Sequence, residues 1–171
     1  TSFFFEKLIS KKSSLSNIFL RWSFLRSVFH NGWWLVTSLY LVTVGKLSAS
    51  QLVFIGVAQS VASIIFELPA GIFADTISRK WSLIISHIIM GTAMIYTALV
   101  TGFYPLMMTQ MLWGISWTFA SGADTAWITD ELDKPDLISN VLADSAKAQM
   151  LGAATGIISL GIIAVFLDLV Y

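Results

Sequence analysis

The sequence predicts an all-α integral membrane protein with five transmembrane helices, and three observations predict it. First, of 171 residues 56% are hydrophobic and 12% charged, with a mean hydropathy of +0.78, whereas soluble domains carry about 25% charged residues. Second, the apolar residues fall into five long runs, each close to the roughly 20 residues a helix needs to cross a bilayer. None alternates as a half-buried strand would. Third, the bases collect on one side of the topology those runs define. Net charge is zero and there is no cysteine, which excludes a disulfide framework and a thiolate metal site.

Residues 1–19 hold Lys7, Lys11 and Lys12 among scattered Phe, Leu and Ile, a basic, weakly amphipathic segment suited to a membrane surface. They lack the basic start, compact apolar region and cleavage site of a signal peptide. The transmembrane bundle occupies 20–171. Its first span is expected at about Trp22–Val44, with Arg21 and Arg26 at the entry able to snorkel to the headgroups. The second runs from about Gln51 to Phe73, after the turn Gly45-Lys46-Leu47-Ser48. The third covers about Trp81–Val100 and the fourth about Tyr104–Thr129, joined by Thr101-Gly102-Phe103. A polar linker over 130–136 follows, and the fifth helix starts near Leu137 and spans from about Ala148 to Leu167. No domain boundary or repeat stands out. Thr1 is not a start Met and the chain stops at Tyr171 just past an apolar run, as in a fragment of a longer protein.

With the N-terminus in the cytoplasm, Lys7, Lys11, Lys12, Arg21, Arg26, Arg79, Lys80, Lys134 and Lys147 lie inside and only Lys46 lies outside. Nine of ten bases then obey the positive-inside rule. Trp22, Trp81 and Trp127 fall at inner span ends and Tyr104 and Tyr171 at outer ends, as interfacial aromatic residues do.

The hairpin Glu67–Lys80 concentrates the chemistry. Glu67, Gly71 and Asp75 are spaced i, i+4, i+8 on one helical face, giving a carboxylate in an apolar run, a notch for close helix approach and a second carboxylate at the helix end. Asp75 meets the negative end of the macrodipole and so calls for a compensating partner. Arg79 is within reach across the turn.

A charge at the bilayer centre costs about 2.5–3.5 kcal/mol on insertion scales, so Glu67 and Asp124 each need a reason. Either they accept hydrogen bonds from other helices or reach inner-side water, or they form a protonatable or cation-binding site in a translocation path. In the first span His30 and Asn31 lie near mid-depth, where a packing role and a relay role both remain open. In the fourth, Gly114, Thr118 and Gly122 form a small-residue packing stripe. Trp117, Ser121 and Asp124 share a neighbouring face that suits aromatic or cationic solutes. Gly152-Ala153-Ala154-Thr155-Gly156 is a G-x-x-x-G packing motif. No nucleophile elbow, phosphate-binding Gly loop or metal-ligand spacing is present, so no enzyme activity or cofactor is expected. The bases track topology and so do not point to nucleic acid.

Gly71-x-x-x-Asp75-x-x-x-Arg79-Lys80 between a second and a third span resembles the loop motif of major facilitator superfamily transporters. The stretches 47–52, 66–71, Gln110-Met111-Leu112-Trp113-Gly114 and 121–131 are similar to the bacterial drug-efflux branch that includes macrolide- and tetracycline-type exporters. The likeness is strong over about 40–131 and looser to 167. It implies spans one to five of twelve, the N-terminal part of a major-facilitator-type bundle in a bacterial inner membrane. It further implies efflux of small amphipathic or drug-like molecules by alternating access, with the lipid bilayer, a small-molecule substrate and the missing C-terminal helices as partners. Carried over, Gly71, Asp75, Arg79 and Lys80, with Asp130 as the acid at the inner end of span four, form a conformational latch. Glu67, Asp124, Gln110, Trp117, Ser121 and Asn31 are the candidates for the translocation path. Ser78 stands where the motif has a second Gly, Gln110 where proton-coupled members have Arg, and Ile157 where the antiporter pattern has Pro. The resemblance therefore does not extend to proton coupling. The alternative from another class is a small non-transporting membrane protein acting as an assembly or regulatory subunit.

Overall fold

The computed structural model describes residues 2–132 and 135–166, and all its described elements are α-helices. They are α1 (Ser2–Thr43), α2 (Ala49–Thr76), α3 (Arg79–Leu99), α4 (Phe103–Ala120), α5 (Ala123–Leu132) and α6 (Pro135–Phe166). Linker residues Asp133 and Lys134, the span end at Leu167 and the aromatic Tyr171 lie outside the described residues.

Among the described residues three helices are long and apolar enough to cross a membrane: α2, α3 and α6 from Leu137 onward. Helices α1 and α4, which carry the first and fourth expected spans, fall outside that set, being diluted by residues such as His30, Asn31 and Gln110. Two further differences concern boundaries. The expected surface segment 1–19 and the first span form one helix of 42 residues, because no Gly or Pro interrupts the chain before Gly32. The fourth expected span is not continuous: α4 stops at Ala120, and Gly122 takes φ +75° before α5 begins.

The chain divides into two compact units, one of residues 37–127 and one of 2–36 with 128–166. No linker marks the division because α1 and α5 each run through it, so the sequence offers no change of composition there.

In the unit of 2–36 and 128–166, α1 and α6 run parallel. Ser23 Oγ and Ser145 Oγ share a hydrogen bond of 3.0 Å, and Ser27 Oγ donates to the Gln149 carbonyl at 2.6 Å. Farther along, Gly156 lies against the Val28 backbone and Gly32 against Leu160. A Cβ on Gly152 would stand 2.5 Å from the Phe24 carbonyl oxygen. The G-x-x-x-G of α6 is thus the surface on which α1 rests, and backbone contact this close needs residues without side chains.

In the unit of 37–127, α4 packs against both α2 and α3. Gly114 accepts Gln59 and Ser63 of α2 at distances no Cβ would tolerate. At one end Leu41, Leu47, Ile55 and Leu106 form an apolar cluster, and Phe73 meets Phe119 edge-on toward the other. Helix α2 is therefore parallel to α4. Helix α3 is antiparallel to α4, with Ser82 bonded to Phe119 and Gln110 to Thr97. A capping box of Ser48 and Gln51 starts α2. Ser78 caps α3 through the Trp81 amide, with φ −173°. That extended backbone suits any residue, so Ser78 sits there without strain and supplies the cap.

Polarity is inverted relative to a soluble domain. Ser23, Ser82, Ser86, Thr109 and Ser116 are fully buried between helices, while Leu99 is 75% exposed, Leu68 72% and Ile64 70%.

Candidate functional site

The turn between α2 and α3 builds the most connected group of candidate residues. Helix α2 ends at Thr76, after the face bearing Glu67, Gly71 and Asp75. With Ile64, Leu68, Ile72 and Thr76 these line one open groove along the helix surface. Nothing lies within 4 Å of a Cβ built on Gly71, so the notch is unfilled by this unit. Glu67 is exposed. Asp75 has the expected partner: Arg79 Nη2 is 3.7 Å from Asp75 Oδ1, with the Asp75 side chain 72% exposed. At that length and exposure the pair contributes less than about 1 kcal/mol.

Arg79 makes a shorter bond elsewhere, as Nη1 donates to the Ala126 carbonyl at 3.1 Å. One turn on, Ser82 Oγ donates to the Phe119 carbonyl at 2.6 Å. The first turn of α3 thus holds the chain on both sides of the α4/α5 break. Sequence reading missed Ser82. Its only signal is the run Ser78, Ser82, Ser86 at every fourth position of an apolar helix, which marks a face packed closely on a neighbour. Lys80 is exposed. Asp130 belongs to the unit of 2–36 and 128–166, and Arg79 to the other.

The candidates for a translocation path are divided between the two units, Asn31 in one and Glu67, Gln110, Trp117, Ser121 and Asp124 in the other. Gln110 is 4% exposed, its Nε2 donating to Thr109 Oγ1 at 3.3 Å and Thr97 Oγ1 at 3.5 Å, so it ties α4 to α3. Asn31 lies in the unit of 2–36 and 128–166, where its Nδ2 donates to the Ser27 carbonyl at 2.9 Å and to Ser27 Oγ at 3.1 Å. Trp117 is 41% exposed and stacks on Trp113 with centroids 6.3 Å apart and planes 11° apart. Ser121 ends α4, its amide bonded to the Trp117 carbonyl. Asp124 sits in the first turn of α5 and accepts the Thr125 amide at 2.7 Å. The helical face expected to unite Trp117, Ser121 and Asp124 does not exist, because the break at Ser121–Gly122 ends the register between them. The first turn of a helix is where a carboxylate meets the positive end of the helix dipole, which gives Asp124 a structural role.

No protein-family model, curated protein or solved structure matches the chain.

Proposed function

We propose that the chain is embedded in a membrane, with its N-terminus on the inner side of a bacterial inner membrane. In this reading it forms the first five spans of a secondary transporter that exports small amphipathic or drug-like molecules by alternating access. The observation that carries the membrane reading is the inverted polarity. Serine and threonine side chains share the helix interfaces with apolar ones while many Leu, Ile, Val and Phe side chains lie on the outside, an arrangement that favours apolar surroundings. Helix directions support it, since α2 and α4 are parallel and α3 opposes them, as three successive crossings require. The two less apolar helices, α1 and α4, carry Asn31, Gln110 and Trp117, which suits helices bordering a polar path. The transport reading rests on the resemblance of the 71–80 loop and its flanking stretches. The proposed latch of Gly71, Asp75, Arg79, Lys80 and Asp130 draws support from the contacts of Arg79 with Asp75 and Ala126. The remaining spans that alternating access needs would come from a longer chain.

The test is efflux of fluorescent amphipathic cations from cells expressing the complete gene, with and without a proton gradient. Faster efflux than from vector controls, lost in Glu67→Gln or Arg79→Ala at equal expression, is the expected result. Efflux equal to the controls refutes transport of this substrate class.

A further inference from the structure

The fourth apolar stretch is broken in mid-run, and one turn of α3 holds both sides of the break. Gly122 has φ +75°, a conformation glycine adopts freely and other residues resist. Its carbonyl then accepts the Ala126 amide at 3.0 Å, which starts the new helical ladder. In an unbroken helix the Phe119 carbonyl would receive the Ala123 amide; here it receives the Ser82 hydroxyl. Arg79 takes the Ala126 carbonyl on the far side. Arg79 and Ser82 are i, i+3 and so point from one face, and the Phe73–Phe119 contact braces the same place from α2. A Cβ on Gly122 would meet nothing within 4 Å, so a substitution there is opposed by the backbone conformation alone.

We propose that Ser121–Gly122 is a hinge, and that Ser82 and Arg79 form the splint that keeps it bent. Two arrangements compete. In the bent one, the Ser82 hydroxyl takes the Phe119 carbonyl and Arg79 clamps the first turn of α5 through the Ala126 carbonyl. In the straight one, α4 and α5 join as a single helix in which the Ala123 amide takes the Phe119 carbonyl. Because Arg79 Nη2 also faces Asp75 at 3.7 Å, any partner at the α2–α3 turn that draws the Arg79 side chain off the Ala126 carbonyl loosens the splint and shifts the hinge toward the straight form. The α2–α3 turn is thereby coupled to the direction in which α5 leaves α4. This inference does not rest on the transport reading; it stands on contacts within residues 73–126.

The chain has no cysteine, so introduced thiols label uniquely. Nitroxides at Met108 and Thr125, both exposed, report across the break by pulsed electron resonance in lipid nanodiscs. A second pair at Tyr104 and Trp117 reports on α4 alone. The wild type should give a narrow distribution for the first pair. Ser82→Ala and Arg79→Ala should each at least double its width, and Gly122→Ala should gather it near the roughly 25 Å of a continuous helix. The α4 pair should stay unchanged in all three. Distributions identical to wild type in every variant overturn the hinge. So does broadening shared by the α4 pair, which would mean general loosening instead of a local pivot.

Discussion

Replacing Gly152 by Ala tests whether α1 and α6 are held together by backbone contact. The added methyl would sit 2.5 Å from the Phe24 carbonyl oxygen and 2.9 Å from Ser27 Cβ. Relief needs the helices to part by close to 1 Å, taking about 3.5 Å as a relaxed heavy-atom contact. Such a shift removes the 2.6 Å bond from Ser27 Oγ to the Gln149 carbonyl. Overpacking costs about 1–3 kcal/mol and the lost bond about 1 kcal/mol, while the gain in helix propensity returns about 1 kcal/mol. The net expectation is a loss of about 1–3 kcal/mol. Gly161→Ala provides the contrast on the same helix. Its Cβ would meet only Leu35 Cδ2 at 3.4 Å, an ordinary contact, so the propensity gain of about 1 kcal/mol should survive. The two substitutions therefore have opposite signs. Unfolding of the chain in mixed micelles by sodium dodecyl sulfate, followed by circular dichroism, measures both. Equal shifts for the two variants, or no loss in Gly152→Ala, would refute parallel packing of α1 on α6 through the glycine face.

Other expectations can be checked the same way. Ser86 Oγ and Thr37 Oγ1 are buried and lack a hydrogen-bond partner, and an orphaned hydroxyl costs about 1–3 kcal/mol. Ser86→Ala and Thr37→Val should therefore raise the unfolding midpoint, and a lowered midpoint would place a partner at that hydroxyl. Ser48→Ala removes one half of the capping box of α2 and should cost about 1 kcal/mol, with amide exchange of 49–52 rising more than that of mid-helix positions. Asp75→Asn should change stability by less than about 1 kcal/mol, given the exposure of its pair. Arg79→Ala should cost more, through the Ala126 carbonyl; a double-mutant cycle showing strict additivity would separate Arg79 from Asp75.

Much of the local order was legible because membrane-like segments announce themselves by length and polarity. The packing role of Gly152 and Gly156 and the reach of Arg79 to Asp75 follow from rules acting within a few residues. The fifth helix, expected from near Leu137, begins two residues earlier at Pro135, and Ser48 and Ser78, expected only as turn residues, are helix caps. Asp124 could not be read this way. An acid inside an apolar run looks like a buried charge until the helix is known to restart one residue before it. The break itself was hidden because Ser121-Gly122 is equally at home in a helix packing stripe, and it shows only in the backbone, where α4 stops at Ala120 and Gly122 takes φ +75°. Glu67 shows the opposite limit: its depth in an apolar run is plain from the letters, but whether it faces a neighbour depends on what packs against α2.

Composition and apolar run length thus sufficed to determine an all-helical chain in which three of the described helices are long and apolar enough to cross a membrane, since those features depend on the solvent each residue prefers. Which helices touch, that Gln110 ties α4 to α3, and that Arg79 and Ser82 hold the carbonyls of a broken helix were decided by tertiary structure. The Ser82 and Arg79 contacts join residues 37 and 47 positions apart, and no periodicity within one helix encodes the register of another.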